Sequence, residues 1–144
     1  MKYLVLLSIV ACALAAEVKD GQFFVVKEPS GVNSEFRWNE AYSMCSFKGG
    51  RLPVINSEAE AQAVAKLMKE NDILDYVHVG FTDLFAEGHY LTIDDQTLTK
   101  AGYSNWANGY PNGGRTSNCG AINAKGELLD ISCYTILNVI CESN

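Results

Sequence analysis

Two histidines, His78 and His89, are the side chains in this 144-residue chain that could exchange a proton near neutral pH. His89 follows Glu87-Gly88, a pair that predicts a turn, so its imidazole is expected in solvent. No nucleophile-elbow motif, zinc-protease motif or phosphate-binding glycine motif accompanies either histidine. The sequence therefore predicts that the protein is not an enzyme, which leaves binding as the function to consider.

The cysteines are the other reactive side chains, and their number depends on how the N-terminus is interpreted. A positively charged start, an apolar run from Leu4 to Leu14 and the small residues Ala13-Leu14-Ala15 predict a secretory signal over residues 1–15. A membrane anchor is the alternative, but the run is shorter than the about 20 apolar residues that span a bilayer, and no stop-transfer pattern follows. We therefore expect a secreted, extracellular protein without a membrane span, whose domain covers residues 16–144.

Removal of the signal leaves Cys45, Cys119, Cys133 and Cys141, because Cys12 lies inside it. An even set of cysteines in an oxidising compartment predicts disulfides, and spacing alone leaves all the possible pairings open. A structural zinc site is the competing interpretation, but these spacings fit no zinc pattern. Fully oxidised cysteines would leave no thiol nucleophile, and no intermolecular disulfide is expected.

Charge and composition exclude several classes of partner. The formal net charge is −6 and there is no basic cluster, which argues against nucleic acid and anionic membrane surfaces. A hydrophobic content of 48% excludes a disordered chain, and the length fits one domain with its own core.

Two amphipathic segments predict the helices of this domain. The first begins at Trp38 and is expected to end at Gly49-Gly50. Its apolar face repeats at the helical interval and consists of Trp38, Ala41, Tyr42 and Cys45. The second begins with the capping box Ser57-Glu-Ala-Glu60 and ends near Asn71-Asp72. Its buried face is expected to contain Ala61, Val64, Ala65 and Met68.

Short β-rich segments occupy much of the remaining sequence. They cover residues 22–27, 76–81, 90–93, 119–123, 127–129 and 139–141. Two helices combined with short antiparallel strands predict an α+β fold. Between Gln96 and Asn118 the apolar residues follow neither a helical nor a strand period, and Gly, Asn, Ser and Pro are frequent. A long irregular loop in a compact domain is usually functional or disordered, and this one contains Trp106, so we expect it to be functional.

An ordered set of motifs runs through nearly the whole domain. It consists of Trp38-Asn-Glu-Ala41, Gly50-Arg-Leu52, Val79-Gly80-Phe81-Thr-Asp83, Glu87-Gly88, Asn105-Trp106, Pro111-Asn112 and the late cysteines. With this set the chain resembles a short-form C-type lectin-like domain. The resemblance implies the disulfides Cys45–Cys141 and Cys119–Cys133, pairing of the N- and C-terminal strands, and two helices with two small antiparallel sheets and a long irregular loop. It also places His78 where the family has a core aromatic residue, so this imidazole is expected to be packed.

Sugar-binding members of this family hold a calcium ion that coordinates two sugar hydroxyls, and the resemblance locates its ligands in this sequence. Asn112 and Asp130 remain from that set, whereas Tyr110, Ser117 and Leu129 replace ligands. Calcium takes six to eight oxygen ligands, so the site is expected to be weak and degenerate. No cofactor is therefore required, although weak calcium binding stays possible.

A second, structural calcium seen in some relatives is half retained. Asp83 and Glu87 match its ligands, while Gly113 and Asn118 stand where further acids are expected. The resemblance also raises the expectation of a cis peptide at Tyr110-Pro111, because relatives with an intact triplet often have one there.

Three functions remain open. The first is recognition of glycans, for example on microbial surfaces, by a secreted lectin of innate-immune type. Its expected ligand-binding residues are Trp106, Tyr110, Asn112, Arg115, Ser117 and Asp130. The second is calcium-independent binding of an extracellular protein through Tyr103, Tyr110 and Arg115, because tyrosine and arginine are frequent in interface hot spots. The third is a structural or matrix role, which no motif supports.

Overall fold

The structure, a computed structural model, describes residues 22–144. The predicted signal at residues 1–15, together with Cys12, lies outside the described residues. Within residues 22–144 no helix is both long enough and apolar enough to traverse a lipid bilayer.

The described part of the chain contains three α-helices among nine short strands. The helices are α1 (Trp38–Phe47), α2 (Glu58–Glu70) and α3 (Leu98–Ala101), and Gly114–Thr116 forms one turn of 3-10 helix. The strands are β1 (Phe23–Val25), β2 (Glu35–Phe36), β3 (Gly50–Arg51), β4 (Tyr76–Thr82), β5 (Leu91–Thr92), β6 (Cys119–Asn123), β7 (Leu128–Ile131), β8 (Leu137–Asn138) and β9 (Ile140–Ser143). The predicted α+β fold is confirmed.

The strands of the described residues form three antiparallel sheets, with the orders β1-β9-β3, β2-β8 and β5-β4-β6-β7. Phe23 pairs with Glu142, so the implied pairing of the N- and C-terminal strands is confirmed. Two sheets were expected, and the additional one is the two-stranded β2–β8 ribbon. Each strand of this ribbon has two residues, which is too short for a readable alternation of apolar and polar side chains.

Helix α3 lies inside the segment that the sequence predicts to be an irregular loop. The Thr97 hydroxyl caps it by accepting the Lys100 N–H at 3.2 Å, and Gly102 ends it with a φ of +108°. Leu98 is buried in the core beneath this turn. The expected count of two helices missed α3 because four residues are too few to show a helical period.

The predicted helix faces are partly confirmed. Ala41 and Cys45 of α1 are fully buried, but Tyr42 is 43% exposed and stacks on the Trp38 ring, with centroids 5.8 Å apart. The core thus contacts a narrower stripe of α1 than the sequence pattern predicts. The predicted buried residues of α2, which are Ala61, Val64, Ala65 and Met68, are all buried.

The cap of α2 differs from the predicted reciprocal capping box. Ser57 fulfils its part, since its hydroxyl accepts the Glu60 N–H at 3.2 Å. The Glu60 carboxylate instead accepts the Asn56 N–H at 2.8 Å and the Gln22 side-chain amide at 2.6 Å. Glu60 therefore links the start of α2 to the segment that leads into β1.

Both disulfides implied by the resemblance are present. Cys45–Cys141 joins α1 to β9, and Cys119–Cys133 joins β6 to the segment that follows β7. The first closes most of the domain into one covalent loop, and the second fixes the base of the segment that leads into β6.

His78 lies fully buried in β4, as the resemblance implies. Its Nε2 lies 2.9 Å from the Phe36 carbonyl and 3.1 Å from the Thr135 carbonyl, so this nitrogen carries the proton and donates to both. Burial holds the pKa of His78 below its ordinary value, although both carbonyls favour the protonated form. His89 is exposed, as expected.

Candidate functional site

Asp130 of β7 is the centre of the hydrogen bonds that close the long loop. Its side chain is 2% exposed. One carboxylate oxygen accepts the Asn112 N–H at 2.9 Å, and the other accepts the Gly113 N–H at 2.8 Å and the Tyr90 hydroxyl at 3.2 Å. Backbone N–H groups that donate to a carboxylate form charge-assisted bonds, which are stronger than neutral ones. These three hydrogen bonds therefore hold the loop to the sheet.

Gly113 allows the close approach that these bonds require. A Cβ at this position would overlap the Ser117 side chain and lie 3.0 Å from the nearer Asp130 oxygen. The chain then turns through Gly114–Thr116, and the Ser117 N–H donates to the Gly114 carbonyl at 3.4 Å. Ser117 is consequently half-buried against the loop backbone and is not presented to solvent as a free ligand.

Trp106 supports the loop from below. Its ring meets those of Phe81 and Tyr90 edge to face, at centroid distances of 5.6 and 5.0 Å. The neighbouring backbone is bonded to β7, since the Ala107 N–H donates to the Leu128 carbonyl at 2.9 Å. Trp106 was expected to contact a ligand on the exposed face of the loop. It is instead half-buried beneath the loop, at the edge of the hydrophobic core.

Tyr90 connects this aromatic cluster to the nearby carboxylates. Burial raises the pKa of its hydroxyl well above the ordinary value, and the negative charges of Asp130 and Asp83 raise it further. The phenol therefore stays protonated and remains a hydrogen-bond donor to Asp130 at any physiological pH.

The residues that were matched to calcium ligands do not fit a calcium ion at Asp130. Both oxygens of this carboxylate already accept protein N–H or O–H groups. Leu128 and Leu129 are buried in the hydrophobic interior and bring no side-chain oxygen. Calcium needs six to eight oxygen ligands, and the three hydrogen bonds leave about one lone-pair site of the Asp130 carboxylate for a metal.

The second pair of expected calcium ligands, Asp83 and Glu87, is split between interior and surface. Asp83 is buried; one of its oxygens accepts the Gly88 N–H at 2.9 Å, and the other has no partner within the described residues. Glu87 is exposed. Within residues 22–144 no group of three or more His, Cys, Asp or Glu side chains could hold a metal ion. Two carboxylates with neutral neighbours leave most of the calcium shell unfilled.

The exposed part of the loop contains the remaining predicted ligand residues. Asn112 and Arg115 are exposed and Tyr110 is half-buried, beside a Tyr110-Pro111 peptide that is cis. The Arg115 guanidinium forms no ion pair with any described residue. Tyr103, in contrast, is buried and its hydroxyl donates to the Gly126 carbonyl, so it cannot serve as a contact for a protein partner.

A cleft of about 710 Å³ adjoins the loop on the side of Arg115. We call it the Trp38 cleft; the residues that define it are Trp38, Leu84, Arg115, Asn118 and Tyr134. Apart from Arg115, sequence analysis did not single out these residues as ligand contacts. They come from four separate segments of the chain, and the weak signal available is the presence of apolar residues directly after Asp83 and Cys133.

The comparisons with known proteins agree with this architecture. The chain matches the model of the Lectin C-type domain over residues 34–143. It is 34% identical over 115 residues to the hemolymph lipopolysaccharide-binding protein of Periplaneta americana, which covers 73% of this chain and 44% of that protein. It is 30% identical over 112 residues to collectin-11 of Danio rerio, which covers 77% of this chain and 40% of that protein.

The chain thus spans less than half the length of these two curated relatives. Among solved structures, a calcium-independent type II antifreeze protein superposes with a TM-score of 0.67 at 21% identity, over 84% of this chain and 85% of that chain. At this identity the likeness concerns the fold.

Proposed function

Because the chain belongs to the C-type lectin domain family, we propose that it is a secreted, non-enzymatic module that recognises glycans without calcium. The name of the cockroach relative makes a microbial surface glycan a reasonable ligand and an innate-immune role a reasonable setting. The hemolymph of that name, and the signal predicted at residues 1–15, support secretion.

The observation that carries this proposal is the use of the Asp130 carboxylate. It accepts the Asn112 and Gly113 N–H groups, at 2.9 and 2.8 Å, and these bonds set the shape of the loop. A metal ion would bring positive charge to the same oxygens and compete with these donors. A loop whose shape is set by protein hydrogen bonds supports glycan binding that needs no metal.

The exposed side chains of the loop supply the contacts for such binding. The Asn112 side chain is free in solvent because the residue is held through its backbone N–H, and its amide can donate to and accept from sugar hydroxyls. The uncommitted Arg115 guanidinium adds five donors. Neither group needs a bridging cation.

A calcium-independent module that binds an extracellular protein is the second candidate. The observation in its favour is a pair of apolar side chains at one exposed turn, where Leu84 is 59% and Phe85 is 92% exposed. Exposed apolar side chains that lie together are typical of protein contact surfaces.

A glycan array tests the proposal with the oxidised protein in calcium and in EDTA. We expect the same glycans to be bound in both buffers, and we expect Asn112→Ala to weaken them. Asn144→Ala is the matched control, because Asn144 is also exposed but lies next to Gly49, far along the chain from the loop.

Binding that appears in calcium and disappears in EDTA would contradict the metal-free mechanism. An array without any bound glycan, together with capture of one extracellular protein that Phe85→Ser abolishes, would favour the second candidate over the first.

A further inference from the structure

The Trp38 cleft has a rigid aromatic wall. The Trp38 indole N–H donates to the Val79 carbonyl at 2.9 Å, and its backbone N–H donates to the Cys133 carbonyl at 3.1 Å. The ring is thereby fixed at the start of α1 with one face against Tyr42. Leu84, which is 59% exposed, and Tyr134, which is 80% exposed, complete the apolar walls. A ring with C–H groups on one face, such as a pyranose chair, matches walls of this kind.

The charge of the cleft is opposite to that of the whole chain. The formal net charge is −6, yet Arg115 is the only charged side chain among the described residues that line the cleft. It has no carboxylate partner within residues 22–144. A planar guanidinium can bind a carboxylate, sulfate or phosphate through two parallel bonds. The cleft therefore favours a ligand with one anionic group.

Asn118 offers an acceptor that the protein does not use. Its side-chain N–H donates to the Arg115 carbonyl at 2.9 Å, which fixes the orientation of the amide. Its Oδ1 is buried and has no hydrogen-bond partner within the described residues. Unsatisfied buried acceptors are rare, and because Asn118 lines the cleft, a small shift of its side chain would bring this oxygen within reach of a ligand hydroxyl. Hydroxyl donors are abundant on sugars and absent from simple fatty acids.

We propose that the Trp38 cleft binds an acidic sugar, meaning a ring with several hydroxyls and one carboxylate, sulfate or phosphate group. The ring lies against Trp38 and Tyr134, a hydroxyl donates to Asn118 Oδ1, and the anionic group binds Arg115. The volume of about 710 Å³ falls within the range of small-ligand sites. This inference rests on the proposed glycan recognition; it adds a ligand class and a second contact area, which shares Arg115 with the loop.

The two tryptophans make the site directly testable by NMR, because their indole N–H resonances report separate places. Trp38 lines the cleft, and Trp106 lies beneath the loop at Asp130. The ¹⁵N-labelled oxidised protein is titrated with glucuronate, N-acetylneuraminate, glucose 6-sulfate and glucose 6-phosphate, and with glucose as the neutral sugar. We expect at least one acidic sugar to shift the Trp38 indole resonance in a saturable way, with the Trp106 resonance unchanged and glucose inactive.

Matched variants locate the contacts. Arg115→Gln should weaken the acidic sugar roughly tenfold or more, because a hydrogen-bonded ion pair is lost. Lys125→Gln removes an exposed cation outside the cleft and should leave the affinity unchanged. Tyr134→Ser should weaken binding several-fold, whereas Phe47→Ser, which removes an equally exposed ring from the end of α1, should not.

Several results would overturn the inference. One is a titration in which no acidic sugar shifts Trp38, or in which the shift occurs at Trp106. Another is equal binding of glucose, which would remove the role of the anion. A third is equal competition by octanoate, which carries the anion without hydroxyls. If the array still detects glycans that Asn112→Ala weakens and Arg115→Gln does not affect, calcium-independent glycan recognition stands, while the cleft assignment and the Arg115 contact fail. An array without glycans contradicts the proposed function itself.

Discussion

Replacing Asp130 with asparagine should open the long loop. The carboxylate accepts three hydrogen bonds, two from backbone N–H groups and one from the Tyr90 hydroxyl. An amide keeps one acceptor oxygen, and its NH₂ group would face a donor that it cannot satisfy. Hydrogen bonds to charged groups contribute roughly 1.5–3 kcal/mol each, so we expect Asp130→Asn to lower the free energy of unfolding by about 2–4 kcal/mol. Asp130 is 2% exposed, so solvent does not screen these bonds.

Urea denaturation of the oxidised protein measures this change, and amide hydrogen exchange locates it. The Asn112 and Gly113 amides should exchange much faster in Asp130→Asn. Tyr90→Phe is the control, because it removes only the longest of the three bonds and keeps the aromatic ring; about 1 kcal/mol is expected for it. A loss below about 0.5 kcal/mol for Asp130→Asn, with unchanged exchange of both amides, would refute the view that Asp130 holds the loop.

Three further predictions concern calcium, a buried histidine and the second disulfide. A few millimolar calcium should stabilise the protein by no more than about 1 kcal/mol, the amount a millimolar site would give, and a larger rise in melting temperature in calorimetry would contradict this. Burial lowers the pKa of His78, so as the pH falls the unfolded chain binds a proton at this residue before the folded protein does. The free energy of unfolding should therefore decrease as the pH falls from about 6.5 towards the folded pKa, and urea midpoints measure this decrease. The control His89→Ala should show the same dependence on pH. The double variant Cys119→Ser, Cys133→Ser removes a disulfide that spans a sequence separation of 14. In the chain-entropy model its free energy of unfolding should fall by about 3 kcal/mol, and an unchanged urea midpoint would contradict this expectation.

Sequence patterns predicted those parts of the fold that carry a period or a fixed motif. The apolar spacing of α2, the serine cap at Ser57 and the alternation around Val77 and Val79 are local signals, and the elements follow them. Helix α3 and the β2–β8 ribbon are too short to show a period. Tyr42 fits the apolar spacing of α1, but its ring stacks on Trp38 at the surface and is therefore partly exposed.

The candidate site was less accessible to sequence reasoning because its geometry depends on contacts between distant residues. Asp130 was correctly singled out, but its bonds to Asn112 and Gly113 join positions 18 and 17 residues away. Trp106 was expected to face a ligand, yet edge-to-face packing against Phe81 and Tyr90 places it beneath the loop. The Trp38 cleft could not be predicted, since it exists only where four segments meet.

The pairing of β1 with β9 determines how the domain responds to mechanical force. The Ser143 N–H donates to the Gln22 carbonyl at 2.7 Å, so tension applied at the two ends would open this sheet one bond at a time, as a zipper. Extension would then stop at Cys45–Cys141, because that covalent link carries the load across everything between its two cysteines. The segment from Gln22 to Cys45 would release on the order of 75–80 Å. The loop at Asp130 lies in the shielded part between the two cysteines, whereas Trp38 lies in the segment that is pulled out. Under tension the Trp38 cleft would therefore lose its aromatic wall while the loop keeps its hydrogen bonds until the disulfide is reduced, an order of events that single-molecule extension would record.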